Sequence, residues 1–246
     1  MDVVDLREFY ASALGQAARR LIARRLAARW PNLRGGRLLG LGYAVPYLEA
    51  LGSHAERSLC FMPARMGASR WPEAGKPKSA LVDEAELPLM DGSVDFALVI
   101  HGLELAEELP GLLNEIFRVL TPQGRALFVV PNRRGLWARF DSTPFGHGRP
   151  FSRGQLARML KEAQFSPLGW SQCLFAPPVT HSFFVRSAPA IEQLGLAVSS
   201  GFSGLLVVEA IKQVYAIPPG KRVRRLVPQM KPVLRPVPAL RLPDTD

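Results

Sequence analysis

The sequence predicts an α/β fold in which a mostly parallel β-sheet is flanked by helices. Short apolar runs alternate with amphipathic segments between residues 37 and 130, which is the pattern of βαβ units. Hydrophobic residues make up 48% of the 246-residue chain, which is enough for a large buried core. The first apolar run, residues 37–42, leads directly into a glycine-containing turn, as expected at the start of such a sheet.

The chain is expected to begin with one amphipathic helix over residues 5–30. Apolar side chains recur there at steps of three and four residues, and the arginines lie mostly on the other face. Pro31 and Asn32 are predicted to end the helix. We expect this N-terminal region, residues 1–34, to pack on a core domain formed by residues 35–217.

Strands and helices alternate through the predicted core domain. Five buried strands are predicted at 37–42, 56–61, 79–82, 94–100 and 125–130. Helices are predicted over 46–51 and 110–120, each starting with a proline, and residues 121–124 are predicted to form a turn. A helix over 151–163, capped by Ser152, is followed by predicted strands at 168–175 and 205–214.

Residues 218–246 are rich in proline and basic residues, which predicts an extended or disordered tail. The net charge of +10 is concentrated in this tail and in the first helix, which argues against one broad nucleic-acid surface. Contact of the tail with an acidic protein, RNA or an anionic membrane stays open. A solvated tether is the alternative, since the tail lacks base-stacking aromatic residues.

The sequence shows neither a secretion signal nor a transmembrane segment. The first residues lack a positive start followed by an apolar run, and no uninterrupted stretch of about 18 apolar residues occurs. The two cysteines, Cys60 and Cys173, stand apart without the spacing of a metal site or a disulfide framework. We therefore expect a cytoplasmic protein without a metal centre.

Two segments carry a resemblance to a known family. Residues 87–99, LPLMDGSVDFALV, are similar to the LPF-x-D-x-S-F-D-x-V segment of class I methyltransferases, and residues 113–124, LNEIFRVLTPQG, are similar to their L-x-E-x-x-R-V-L-K-P-G-G helix and turn. Over residues 35–168 the chain thus resembles class I S-adenosylmethionine-dependent methyltransferases, in particular the type 11 subfamily. The resemblance implies a Rossmann-like, seven-stranded, mostly parallel sheet and S-adenosyl-L-methionine as cofactor.

The resemblance also implies where the cofactor binds. Its candidate residues lie at or just after the ends of four successive strands: Gly40, Leu41, Gly42, Tyr43 and Ala44, then Met62, then Asp83 and Glu84, and finally His101. The chain departs from the family at two places, because Gly40 replaces the leading acid of the glycine loop and the second strand is followed by no carboxylate. A lost charge-assisted bond to the ribose costs roughly 1.5–3 kcal/mol, which is about one to two decades of affinity.

The loop over residues 140–152 is predicted to cover the mouth of the site. It combines aromatic, titratable and cationic side chains in Phe145, His147 and Arg149, which suits a lid or an acceptor-recognition loop. The alternative is a plain connector held by Phe145 and Phe151.

A catalytic base is needed where the methyl acceptor must lose a proton, and the candidates are His101 and His147. His101 is expected to end the fourth strand, where open α/β sheets bind ligands. It could equally be a half-buried histidine bonded to the backbone. Glu104, one helical turn further, is expected to be structural or exposed.

The sequence leaves two main hypotheses on function. The first is an active methyltransferase that transfers a methyl group to an unidentified acceptor by in-line displacement. The second is a catalytically weakened relative that acts as a binding or regulatory partner. Charge supports a nucleic-acid methyltransferase, but the N-P-P-Y type motif is missing after the fourth strand, where the chain has residues 100–103, IHGL. A dinucleotide oxidoreductase is disfavoured because G-x-G-x-x-G fails at its third glycine.

Overall fold

The computed structural model describes residues 1–179, 187–188, 190–195 and 202–213. Within these ranges the strands are β1 (Arg37–Gly42), β2 (Arg57–Pro63), β3 (Ser79–Val82), β4 (Val94–Ile100), β5 (Leu120–Pro131), β6 (Phe165–Cys173) and β7 (Leu205–Lys212). The α-helices with defined bounds are α1 (Val3–Ala11), α2 (Ala13–Arg29), α3 (Val45–Leu51), α4 (Leu109–Val119) and α5 (Arg153–Glu162). Residues 190–195 are helical as well, and the predicted tail lies outside the described residues.

The seven described strands form one sheet in the order β3-β2-β1-β4-β5-β7-β6. Strands β1 to β5 pair in parallel, and β7 pairs antiparallel with both β5 and β6. The chain order reverses between β1 and β4, so the carboxyl ends of these two strands border the crevice where open α/β sheets bind ligands. The predicted mostly parallel, seven-stranded sheet is confirmed.

Helices cover both faces of the sheet. One apolar cluster joins α1, α2 and α3 to one face, and a second joins α4 and α5 to the other. The central strands are therefore buried on both sides, which explains why they are continuous apolar runs rather than alternating ones. No helix in the described ranges combines the length and the apolar character needed to cross a membrane.

The N-terminal region forms two helices, so the prediction of one helix over residues 5–30 was wrong. Ser12 has an extended backbone (φ −68°, ψ 160°) that ends α1, and its hydroxyl caps α2 by accepting from the Gly15 amide at 3.0 Å. A Cβ on Gly15 would overlap the carbonyl oxygen of Phe9, so glycine is what allows α1 to fold tightly against α2. The apolar periodicity continues across this break and gives no sign of it.

The other boundaries differ from the prediction by a few residues. β5 begins at Leu120 because the predicted turn, residues 121–124, is an irregularity within the strand, with Gln123 at φ 64° and a register shift opposite Val94 and Phe96. β6 starts and ends before the predicted 168–175. The helix capped by Ser152 is confirmed as α5, with the Ser152 hydroxyl accepting from the Gln155 amide at 3.2 Å.

The two segments that carry the family resemblance bind each other through Glu115 and Arg118 of α4. The Glu115 carboxylate accepts the Leu87 amide at 2.7 Å, while the Arg118 guanidinium donates to the carbonyls of Leu87 (2.9 Å) and Leu89 (2.8 Å). Arg118 also forms ion pairs with Glu115 and Asp91, each at 2.7 Å. These residues hold the chain in place before β4, so their role in the structure is to fix the backbone.

Candidate cofactor and acceptor site

The turn after β1 is shaped by two glycines. Gly42 has a φ of 78°, and a Cβ there would overlap the carbonyl oxygen of Ile100 in the neighbouring strand β4. That carbonyl also accepts the Tyr43 amide at 2.9 Å, which ties the turn to β4. A Cβ on Gly40 would stand 2.7 Å from the Cβ of Ala44, so this glycine lets α3 pack closely on β1. Both glycines are thus required by the packing of the chain itself.

The predicted adenine side of the site is open. Asp83 and Glu84 border a cavity of about 250 Å³ together with Pro63, Val82 and neighbouring residues. The Asp83 carboxylate accepts the Ala85 amide at 2.9 Å and stays exposed, while Glu84 pairs with Arg65 at 3.3 Å. The sequence-predicted pair is therefore brought together at one cavity beyond β3.

Met62 is placed differently from the other cofactor candidates. Its side chain is fully buried, and its sulfur accepts the Ser69 amide at 3.2 Å. It does not line the cavity beside Asp83. Leu41 is buried in the apolar cluster on the α4 and α5 face of the sheet, so only its backbone can reach a ligand at the turn.

His101 follows β4 directly and is fully buried in an unusual backbone conformation. Its φ is 53°, a region that non-glycine residues seldom adopt outside functional or strained sites. The ring Nε2 lies 2.8 Å from the Tyr10 hydroxyl of α1, and the ring Nδ1 lies 3.3 Å from Glu104 Oε1. The Tyr47 hydroxyl of α3 donates to the Tyr10 hydroxyl at 3.1 Å.

These contacts indicate which atoms of Tyr47, Tyr10 and His101 carry the protons. Because Tyr47 donates to Tyr10, the Tyr10 proton is directed to His101 Nε2, which leaves the remaining imidazole proton on Nδ1, 3.3 Å from Glu104 Oε1 but without a hydrogen bond to it. Burial raises the pKa of Tyr10 and of Tyr47 well above the ordinary range, so both phenols stay neutral. The side chains of Tyr47, Tyr10, His101 and Glu104 thus form a buried series of contacts, with two neutral hydroxyls at one end and a carboxylate at the other.

Glu104 is 2% exposed, so the expectation that it could be exposed is wrong. Apart from the approach of His101 Nδ1, neither carboxylate oxygen has a hydrogen-bond partner among the described residues, and Nδ1 has none either. A buried carboxylate without partners is costly, and such groups concentrate at functional sites. Glu104 is therefore the strongest sign of a ligand in this part of the fold.

Aromatic rings cover His101 on the side that faces the turn after β1. The Tyr10 ring stacks on the Tyr43 ring, with centroids 5.8 Å apart and an interplanar angle of 23°. The Phe145 ring lies 4.8 Å from the His101 ring and is itself in contact with Trp137 at 5.6 Å. Helix α1 and the loop after β5 therefore close over the end of β4 together.

The three residues predicted to bind the methyl acceptor lie in different surroundings. Phe145 is buried against His101, whereas the Nε2 of His147 is bonded to the Asp141 carbonyl at 2.8 Å, within its own loop. The Arg149 side chain is exposed, but its amide donates to the Glu104 carbonyl at 2.8 Å. The loop is thus anchored on the same short turn that carries the buried pair.

A second cavity, of about 620 Å³, opens beside Tyr43 and was not predicted from the sequence. It extends between α3 and the segment that connects β2 to β3, and Trp71 adds a second aromatic ring to its wall. Four basic side chains line it, namely Arg7, Arg19, Arg70 and Lys78.

Sequence reasoning missed Tyr10, Tyr47 and the role of Glu104. Tyr10 belongs to the apolar periodicity of the first helix and Tyr47 to the start of the helix after the glycine turn, so both were accounted for by packing. A carboxylate three residues after a histidine at a strand end was the available signal for Glu104.

The residues present fit S-adenosylmethionine at the adenine end of the predicted site. The cavity beside Asp83 has room and an exposed carboxylate for the amine edge of an adenine ring. The ribose contact is missing, since β2 ends in Met62 and Pro63. The Tyr10 ring stacks on the Tyr43 ring of the glycine turn.

A family model described as a methyltransferase domain matches residues 10–168. No curated protein matches the chain by sequence. A chain from the complex of the Haloferax volcanii Trm112 methyltransferase activator with a methyltransferase shows 18% identity and a TM-score of 0.60, covering 78% of this chain and 89% of that one.

Two further solved structures share the fold. An S-adenosylmethionine-dependent methyltransferase from Archaeoglobus fulgidus is 20% identical with a TM-score of 0.55, covering 79% of this chain and 94% of its own. One from Mesorhizobium loti is 16% identical with a TM-score of 0.55, covering 76% and 96%. The family match runs from α1 into β6, and the chain therefore belongs to the methyltransferase-domain family, whose cofactor is S-adenosylmethionine.

Proposed function

We propose that this protein transfers a methyl group from S-adenosylmethionine to an acceptor held next to His101. The observation that supports this most is the buried, strained His101–Glu104 pair at the end of β4, next to the turn that the family uses for the cofactor. When bound, S-adenosylmethionine supplies an already activated methyl group on its sulfonium. The protein then has to align the acceptor, exclude water and take up a proton.

We assign the cofactor roles to the residues that the family resemblance indicates. The backbone of residues 40–44 would hold the amino-acid part of the cofactor next to Met62. Asp83 would accept the adenine amine, and the backbone of Glu84 would meet the ring. The cavity beside Asp83 supports this assignment because it provides space next to an exposed carboxylate.

We assign the candidate base to His101 rather than His147. His101 Nε2 lies within hydrogen-bond distance of a hydroxyl, and Glu104 lies 3.3 Å from Nδ1, which supports a proton-accepting role for Nε2. His147 Nε2 is occupied by the Asp141 carbonyl, which favours a role for His147 in holding the loop that carries Phe145. Phe145 and Arg149 would then shape the acceptor side of the site.

The alternative function is a catalytically weakened protein that serves as a binding or regulatory partner. Two observations favour it: Tyr10 is stacked on the cofactor turn, and no carboxylate follows β2 for the ribose. Contact of the basic tail with an acidic protein or RNA would belong to this alternative as well. Cofactor affinity separates the two proposals.

The deciding experiment is calorimetric titration of the full-length protein with S-adenosylmethionine and S-adenosylhomocysteine. We expect micromolar binding that weakens about tenfold or more in Asp83→Ala, since a bond to a charged group is worth roughly 1.5–3 kcal/mol. The matched control is Glu162→Ala, an exposed carboxylate at the end of α5, on the opposite edge of the sheet. No binding up to millimolar concentrations would favour the partner function instead.

A further inference from the structure

We infer that the methyl acceptor is an aromatic hydroxyl compound, whose hydroxyl takes the place of the Tyr10 hydroxyl on His101 Nε2, with Glu104 as the residue that positions the imidazole. This inference rests on the proposed methyl transfer. It goes beyond it because it assigns a chemical class to the acceptor, a role to Glu104 and a gating role to the first helix.

The buried pair is suited to an oxygen acceptor. A hydroxyl is a poor nucleophile until it loses its proton, whereas a neutral amine attacks through its lone pair and needs no base beforehand. In the proposed step, the hydroxyl O–H bond breaks and its proton moves to His101 Nε2. The freed oxygen lone pair forms the O–CH3 bond, and the S–CH3 bonding pair returns to sulfur.

Glu104 supplies what the imidazole needs to accept that proton. Glu104 Oε1 lies 3.3 Å from Nδ1, in contact but not hydrogen-bonded, and in the proposed step the imidazole carries its proton on Nδ1 so that Nε2 is free to accept from the hydroxyl. Once Nε2 is protonated, the imidazolium lies against a carboxylate that has no other partner among the described residues. Attraction between opposite charges is strong in such a buried place. Glu104 therefore acts on the acceptor through His101.

Tyr10 shows which kind of molecule the slot accommodates. Its phenol is a complete aromatic hydroxyl bound to the candidate base: the oxygen lies 2.8 Å from His101 Nε2, and the ring stacks on Tyr43. Phe9 and Tyr47 meet the ring edge-on, with centroids 5.2 and 6.1 Å away. If Tyr10 withdraws, the remaining walls fit another flat aromatic ring with a hydroxyl at the same end.

The exchange requires α1 to move, although Leu6 is fully buried and Gly15 lets α1 pack tightly on α2. Tyr10 lies one turn before Ser12, whose extended backbone separates α1 from α2. Rotation at Ser12 would move the short helix α1 as a unit and leave α2 packed in the core, where Ile22 and Leu26 are fully buried. The acceptor thus competes with Tyr10, and α1 closes the site in its absence.

The test compares three small acceptors that share one ring: 4-methylphenol, which reproduces the tyrosine side chain, 4-methylaniline and 4-nitrophenol. Transfer of a labelled methyl group from S-adenosylmethionine is followed for the full-length protein. We expect product from 4-methylphenol that depends on Glu104, whereas any product from 4-methylaniline should be independent of Glu104 because the amine needs no base. Glu104→Gln should lower kcat on 4-methylphenol about 100-fold with little change in KM, as expected when base catalysis is lost.

A second comparison distinguishes a positioning role of Glu104 from a purely structural one. 4-Nitrophenol is far more acidic than 4-methylphenol and is mostly ionised in mildly alkaline buffer, where it needs no base. In that buffer Glu104→Gln should keep most of its activity on 4-nitrophenol, and Glu104→Asp should recover part of the loss on 4-methylphenol. Equal losses on both phenols, preference for the aniline, or no product from a protein that binds S-adenosylmethionine would each overturn the inference. A protein that binds no cofactor would overturn the proposed methyl transfer itself, and the inference with it.

Where Glu104→Gln fails to fold, Tyr10→Phe provides a second route. It removes the hydroxyl that competes for His101 Nε2 and keeps the ring. We expect the KM for 4-methylphenol to fall several-fold, while the affinity for S-adenosylhomocysteine stays the same. An unchanged KM would contradict competition between Tyr10 and the acceptor.

Discussion

The hydroxyl of Tyr10 lies 2.8 Å from Nε2 of His101, although the two residues are 91 positions apart in the chain. This contact joins the first helix to the end of the fourth strand, at the point where the order of the strands reverses. It links His101, which directly follows β4, to an N-terminal helix that packs over it. The predictions below test this arrangement and the packing that creates it.

Tyr10→Phe should destabilise the protein by roughly 1–3 kcal/mol, because it leaves the buried His101 Nε2 and the Tyr47 hydroxyl without their partner. The measurement is the free energy of unfolding in urea. Tyr43→Phe is the matched control, since that hydroxyl borders the 620 Å³ cavity and its loss should cost less than about 0.5 kcal/mol. Equal effects of the two variants would contradict the contribution of the buried hydrogen bonds from Tyr10 to His101 and Tyr47.

Gly15→Ala should displace α1. Alanine at a helix position is usually favourable by roughly 0.5–1 kcal/mol relative to glycine, but here the added Cβ overlaps the Phe9 carbonyl. We expect net destabilisation and faster proteolysis within the first ten or so residues. Gly154→Ala in α5 is the control, because a Cβ there meets nothing within 4 Å, and it should stabilise the protein. Unchanged proteolysis in Gly15→Ala would show that α1 tolerates the shift.

Gly42→Ala should be far more damaging than Gly35→Ala. Both glycines have a positive φ, 78° and 71°, so each substitution carries strain of about 1–2 kcal/mol. Only at Gly42 does the new Cβ also meet backbone, the Ile100 carbonyl, while at Gly35 nothing lies within 4 Å. Thermal unfolding of both variants should rank them in that order. A mild Gly42→Ala would mean that the turn and β4 can separate.

The Arg118 side chain holds the pKa of Glu115 below its ordinary value of 4.5 by hydrogen bonding to the carboxylate. A lowered folded-state pKa stabilises the protein above about pH 4.5, and this contribution disappears as the pH falls through the folded-state value. We expect Glu115→Gln to cost roughly 1–3 kcal/mol near neutral pH and less in acid. Urea unfolding of both proteins across the acid range checks this, and a pH-independent difference would contradict the ion pair.

His147→Ala should lower turnover without changing the affinity for S-adenosylmethionine. The ring bonds the Asp141 carbonyl at 2.8 Å, and its loss should loosen the loop that places Phe145 on His101. Calorimetry and methyl-transfer assays on the same samples separate the two effects. Arg149→Ala is the comparison, since it keeps the amide bond to Glu104. Full activity in His147→Ala would remove His147 from the acceptor side of the site.

Much of the sheet could be predicted from local patterns. β1, β3 and β4 have the predicted bounds because each is a short, mostly apolar run that stands between polar or turn residues. The family segments around Leu87 and Glu115 were recognisable because the side chains of Glu115 and Arg118 hydrogen-bond to the backbone of the first segment, which constrains both sequences. The break at Ser12 was not predictable, since the apolar periodicity on either side of it is the same.

By itself, the sequence determined the fold class, the bounds of β1, β3 and β4, and the positions of His101 and Asp83 after their strands. Only the tertiary structure decided what meets His101. A hydrogen bond between residues 10 and 101, or a carboxylate buried without partners at 104, leaves no periodic trace along the chain. Such contacts depend on how α1 folds back at Gly15 onto the end of β4, and the free energy of burying these polar groups depends on that three-dimensional arrangement.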